Sequence, residues 1–207
     1  MTEPLDVLLL ESHPWVGEAS AATLTEAGHR VHRCHRPGDT GYACVGLDRH
    51  AECPLEHHVD AAVVVRAHGT TAPTPFEDGV RCAVRAGVPV VEVGDRDGDP
   101  FAEWITLRAE ERSLSAACRA AVGLARQPLV EAVLERVSSV VVDPQGRPAE
   151  VGCTIDSRWP DLDVRLTVAG PVDRRTEQAM SVRAYDALRP HTGTYRTVNV
   201  TVHEAPA

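Results

Sequence analysis

Leu5-Asp-Val-Leu-Leu-Leu-Glu-Ser12 and Val59-Asp-Ala-Ala-Val-Val-Val-Arg66 are the two stretches that decide the fold. Each carries four or five consecutive aliphatic residues with no polar alternation, the pattern of a strand buried on both faces. Working outward from the first, residues 14–27 read as a helix: Pro14 suits its first turn, Val16, Ala19, Ala22, Thr23 and Ala27 recur at helical spacing, and Gly28 stops it. A short strand is expected over 30–33. Beyond the second stretch come a helix over 76–86 ended by Gly87, a strand over 88–93 ended by Gly94, a last strand over 104–107 and a helix over 113–124. Strands that alternate with helices imply parallel neighbours joined by crossovers, hence a doubly wound α/β sheet with helices on both faces.

Pro128 interrupts this pattern, and a second one follows. Residues 129–136 are expected as helix, 137–142 as strand, 144–148 as a turn, and 151–158 and 162–169 as strands joined by a hairpin connection at Trp159-Pro-Asp161. A helix over 173–188 capped by Asp173 and a final strand over 195–203 complete a small α+β domain, its sheet of three or four strands covered on one side. The boundaries expected are 1–126 and 127–207.

The chain has 207 residues, 30 acidic against 21 basic, and a formal net charge of -9. Every basic residue is arginine; the absence of lysine excludes a Schiff base or a phosphate-loop lysine. The acidic balance argues against nucleic acid as a partner. The acidic opening and the short apolar run 7–10 suit neither a signal peptide nor a membrane span, so a cytoplasmic protein is expected. In that compartment the six cysteines are ligands, redox thiols or core residues before they are structural disulfides.

The order of elements over 5–125 resembles the receiver domain of bacterial response regulators, a five-stranded flavodoxin-like fold. The likeness rests on Val-Leu-Leu-Leu-Glu11, on Val59 to Val65 for the third strand, and on Trp104-Ile-Thr106 followed by a helix. It implies a phosphorylated aspartate at the end of the third strand, an acidic pair after the first that holds magnesium, and a lysine after the fifth. Here Val65 or Arg66 stands at the acceptor position and the acidic pair is reduced to Glu11-Ser12. Gly94 replaces a serine or threonine, and Leu107-Arg108 the lysine. Phosphoryl transfer needs a carboxylate nucleophile and a metal clamp, so such a site is expected to be inert. An unrelated flavodoxin-like domain with the same strand order is the alternative. In either case the loops at the carboxyl ends of the strands, with Glu11, Ser12, His13, Arg66, His68 and Gly94, form the default ligand surface. The first of them lacks a dinucleotide fingerprint.

Residues 29–58 hold six of the ten histidines and three of the six cysteines. Soft sulfur and imidazole donors in a turning loop are the material of a tetrahedral metal site. In the loop 34–58 the expected ligands are Cys34, Cys44 and Cys53 with one of His35, His57 or His58, occupied by zinc or an iron-sulfur cluster; Cys53-Pro54 resembles the step that closes some ferredoxin motifs. No pair of cysteines has the short spacing usual for zinc, which leaves free thiols or a redox disulfide as alternatives. Cys82, Cys118 and Cys153 are expected in the core. His13 and His68 as an acid/base pair, and 95–99 as a cation loop, are weaker readings than solvated loops.

Residues 129–204, ending Tyr195-Arg-Thr-Val-Asn-Val-Thr-Val-His203, are similar to the alkaline-shock protein family, whose members are not known for catalysis. The expectation is a non-catalytic cytoplasmic regulatory or scaffold protein that binds a protein partner or a second copy of itself as a homodimer. It would sense through a metal or redox site and touch neither nucleic acid nor membrane. The alternative is an enzyme that uses a reactive thiol or a metal-bound water at the carboxyl end of the sheet.

Overall fold

The computed structural model describes residues 3–35, 44–47, 52–94, 99–142, 149–158, 161–191 and 195–205. The turn expected over 144–148, the connection at 159–160 and the 95–98 part of the acidic loop lie outside these. The chain forms two compact units, Met1–Ala125 and Arg126–Ala207.

In the first unit β1 (Asp6–Glu11), β2 (Arg30–Arg33), β3 (Ala61–Arg66), β4 (Val90–Gly94) and β5 (Ile105–Ala109) form one parallel sheet in the order β2-β1-β3-β4-β5. This is the flavodoxin-like 2-1-3-4-5 order of a doubly wound fold. The aliphatic runs do what their lack of alternation requires. Val7, Leu9, Val63, Val65, Val91 and Val93 pack into one core with Leu24 of helix α1 (Glu18–Glu26) and with Leu114, Cys118 and Ala121 of α3 (Leu114–Val137). Leu8, Leu10, Ala62, Val64 and Val90 pack on the opposite face with Val80 and Ala83 of α2 (Gly79–Arg85).

Helix α1 starts four residues later than Pro14 suggested. The chain leaves β1 through tight turns, with Trp15 in the left-handed region at φ 74° and Gly17 pressed onto Glu11; a Cβ on Gly17 would lie 2.9 Å from Glu11 Cγ. The fifth strand runs to Ala109, so Leu107 and Arg108 stand inside it and Glu110 follows it. Pairing explains the extension, because Arg108 lies opposite Glu92 and Ala109 opposite Val93.

Two expectations fail around α3. Pro128 does not end the helix, which runs unbroken from Leu114 to Val137. A proline there forgoes one bond, to the carbonyl of Leu124, whose residue is exposed. Residues 137–142 are not a strand either: Val137 ends the helix, and turns follow with Ser138 N–H donating to Leu134 O and Val140 N–H to Val137 O. Val133 and Val137 are buried one helical turn apart, and Val141, beyond the helix, joins the same core.

The second unit has β6 (Val151–Arg158) antiparallel to β7 (Asp161–Val168), and β8 (Thr197–Glu204) parallel to β7, in the order β6-β7-β8. Helix α4 (Arg174–Leu188) makes the crossover, its first turn capped by Asp173 accepting from Thr176 N–H at 2.9 Å. Leu162, Val164, Leu166 and Val168 alternate inward onto Met180, Ala184 and Leu188.

Two residues of the first unit make its packing testable. A Cβ on Gly79 would lie 2.5 Å from Leu10 Cδ2 and 3.0 Å from Cys34 Sγ, so Gly79→Ala overpacks the seat of α2. It is expected to cost about 1–3 kcal/mol in urea unfolding. His29 is buried, its Nδ1 accepting from Leu5 N–H at 3.0 Å and its Nε2–H facing Ser115 Oγ at 2.8 Å. Burial first, and Arg119 second, hold its pKa below the ordinary value. The unfolded chain therefore takes up the proton first, and stability present above the unfolded pKa is lost as pH falls. Unfolding midpoints at about pH 7.5 and pH 5.5 should differ more for the wild type than for His29→Gln.

Candidate functional site

At the carboxyl ends of the strands, the positions that the receiver resemblance marks are occupied by ion pairs. Arg66, the last residue of β3, is 3% exposed. Its Nε donates to Glu77 Oε1 at 2.7 Å, one terminal nitrogen donates to Ala72 O at 2.9 Å, the other stands 3.9 Å from Asp99 Oδ1, and its Cζ sits 5.6 Å from the centroid of the Phe101 ring. A guanidinium removed from water must have its donors met in this way. Glu77 is equally buried, and its second oxygen accepts from Thr74 N–H at 2.8 Å. Thr74 Oγ1 in turn donates to Ser12 O at 2.8 Å, and buried Ser12 accepts from Ala67 N–H through Oγ at 2.8 Å. The loops after β1 and β3 are thereby tied together.

Glu11, the remaining acid of the first loop, is also committed. Its Oε1 accepts from Gly17 N–H at 2.9 Å and its Oε2 from Arg33 Nε at 3.2 Å, while Arg33 also pairs with Glu18 at 2.8 Å. His13 is exposed, with Nδ1 3.1 Å from Ser12 Oγ. Beside Arg66, buried Glu92 on β4 accepts from Arg108 Nε at 2.7 Å, and Arg108 reaches Asp99 Oδ2 at 3.2 Å. That pair is lopsided. Arg108 gains from Glu92, whereas burial costs Glu92 more than Arg108 returns, so its carboxyl is held above the usual range; its Oε1 is buried with no hydrogen-bond partner.

The expected cysteine ligands gather on one side of this end. Cys34 directly follows β2 and is buried, and Val45 N–H donates to its carbonyl at 2.8 Å. Cys44 is partly buried and packs against the core cluster that contains Cys34, and Cys44, Cys53 and Cys82 each oppose ionisation of Cys34. Burial first, then these thiols, push Cys34 up to about 12, the reverse of what a nucleophilic thiol needs. Cys82 corrects its sequence assignment: it is exposed, because α2 seats on the sheet through Gly79, Val80 and Ala83. Cys118 is buried as expected, and Cys153 is partly buried against the second core.

The histidines part company with the sulfurs. His35 stays near them, its ring edge-on to Phe76 with centroids 5.5 Å apart and Nδ1 buried without a partner. His57 pairs with Glu52 at 2.7 Å and His58 with Asp60 at 2.8 Å. Asp60 Oδ2 accepts from Asp6 N–H at 2.9 Å, and Asp6 also binds Arg30 and, at 2.8 Å, His32. Burial raises the Asp6 pKa, but bonds from Arg30 and His32 outweigh it and hold the carboxyl low. Asp6, Arg30, His32, His58 and Asp60 mark the amino ends of β1, β2 and β3, and the four residues of β2 put about 13 Å between that end and Cys34, whereas Glu52, the partner of His57, directly precedes Cys53 in the chain. Among the described residues, no group of three or more His, Cys, Asp or Glu already stands in an arrangement that could hold a metal ion. None of the described helices is long and apolar enough to cross a membrane.

Truncating one partner of the buried pair leaves the other charge stranded, so Arg66→Ala is expected to cost about 3–5 kcal/mol. The double change Arg66→Met with Glu77→Leu should recover most of that loss in the same urea titration.

No protein-family model matches the chain, and no curated protein sequence matches it significantly.

Proposed function

We propose that this protein is a non-catalytic regulatory or scaffold module: a phosphorylation-independent receiver-like domain joined to an α+β domain that engages a protein partner or a second copy of the chain. The observation that carries this reading is the environment of Arg66. Val65 or Arg66 stands where a receiver presents an aspartate, so no carboxylate is there, and Arg66 is a buried cation whose donors are spent on Glu77 and Ala72 O. A carboxylate nucleophile is replaced by a cation that cannot attack phosphorus and that repels a divalent cation. Glu11, the other acid that a magnesium site would recruit, is neutralised by Arg33 and fixed by Gly17 N–H.

The carboxyl end of the sheet is thus set for shape rather than turnover. Ion pairs tie the β1, β3 and β4 loops into one surface, and a surface of fixed loops on a rigid sheet suits recognition of a partner. The likeness of the second half to alkaline-shock proteins supports an interaction role there as well. The raised Cys34 pKa weighs against the enzyme reading that depends on a reactive thiol.

Incubation of the full chain with acetyl phosphate and magnesium tests this reading. Intact-mass spectrometry is expected to show no acid-labile phosphoryl adduct, and the oligomeric state measured by sedimentation is expected not to change. A stoichiometric adduct on any carboxylate of the first unit overturns it.

A further inference from the structure

Four cysteines, each from a different segment, lie around the end of β2, where two glycines mark close approaches. Gly46 lies against Cys53: a Cβ there would stand 2.8 Å from Cys53 Cβ and 3.3 Å from its Sγ. Gly46 follows Cys44 by two residues, and the bond from Val45 N–H to Cys34 O holds this turn beside Cys34. From the other side Gly79, the first residue of α2, approaches the same sulfur, its Cβ position 3.0 Å from Cys34 Sγ. Cys82 follows Gly79 by three residues, which places both on one side of the helix.

We infer that Cys34, Cys44, Cys53 and Cys82 form one thiolate site for a soft divalent cation of the zinc type, with Cys82 in the place that the spacing of the loop assigned to a histidine. Zinc takes four sulfurs tetrahedrally, and separated ligands need a scaffold that turns. Here Cys34 is fixed by burial, Cys44 packs against the core cluster that contains it, Cys53 opens the turn Pro54–Glu56, and Cys82 is exposed on α2. The donors are gathered but not yet closed, and the cation supplies the force that draws Cys53 and Cys82 onto the Cys34–Cys44 pair. Each thiol that ligates gives up its proton to solvent, so binding strengthens with pH. His57 and His58 already serve Glu52 and Asp60, and the second of these is anchored at the far end of the strands. The site stands on a different observation from the Arg66 reading, and either can fail alone.

Cobalt(II) titration of the reduced, chelator-treated full chain under anaerobic conditions reads the site directly. About one equivalent is expected to bind with thiolate charge-transfer and intense tetrahedral d–d bands, both removed by zinc. Cys82→Ser is expected to weaken binding by more than the roughly 10–100-fold typical of losing a group that only supports a ligand. Cys82→His, which keeps a donor, should restore tetrahedral binding with a weaker charge-transfer band, and His35→Ala should bind as the wild type does. Cys82 is exposed, so these variants are expected to keep the wild-type circular dichroism. Wild-type affinity in Cys82→Ser, no tetrahedral spectrum in the wild type, or stoichiometric iron and sulfide in the purified protein would each overturn the assignment.

Discussion

The buried pair of Arg66 and Glu77 is the contact on which the arrangement of the first unit turns. All six residues of β3 are buried, so an arginine that ends this strand cannot reach water and must draw its counter-charge from the chain that follows. Glu77 supplies it from a short turn just before α2, and that turn is bonded through Thr74 to the end of β1. The ion pair therefore sets where α2 begins. Gly79 comes two residues later, with no side chain because Leu10 and Cys34 fill the space. In this way one charge at a strand end fixes the seat of a helix and the packing of a sulfur.

Burying ion pairs seldom adds net stability, since desolvation offsets most of the attraction. Arg66 and Glu77 make the better case, because further bonds to Ala72 O and Thr74 N–H meet the remaining polar atoms. Glu92 makes the poorer one: a single arginine engages one oxygen and leaves the other bare. What these pairs provide is definition. They hold three loops in one arrangement at the carboxyl end of the sheet.

The parallel sheet was legible because continuous aliphatic runs bounded by Gly28, Gly87 and Gly94 leave little choice of period or register. What could not be read was pairing at a distance. Nothing local couples Arg66 to Glu77 or Glu11 to Arg33, and the Cys34–Cys44 contact depends on a backbone bond from Val45. The errors at Pro128 and 137–142 arose where one residue type carried two meanings. A proline usually ends a helix, and a valine-rich run usually makes a strand, but Val133 and Val137 are buried one helical turn apart and the helix runs through Pro128 to Val137. Cys82 was misread because alanine and valine neighbours suggested a core helix, while the stripe that faces the sheet passes through Gly79, Val80 and Ala83 instead.

The lysine-free composition gains a physical sense from the same site. A lysine at position 66 would present one compact, strongly hydrated ammonium at the end of a flexible stem. Arg66 uses Nε for Glu77, one terminal nitrogen for Ala72 O and the other toward Asp99, while the guanidinium plane rests near the Phe101 ring. Arg33 likewise divides itself between Glu11 and Glu18, and Arg108 between Glu92 and Asp99. Each spans two carboxylates from different segments, which the forked geometry of guanidinium makes possible. Five acids, Glu11, Glu18, Glu77, Glu92 and Asp99, are in this way held by three arginines. The acidic surplus of the chain is therefore part of how the carboxyl end of its sheet is closed, and the one of these arginines that is buried, Arg66, is met by more than one acceptor.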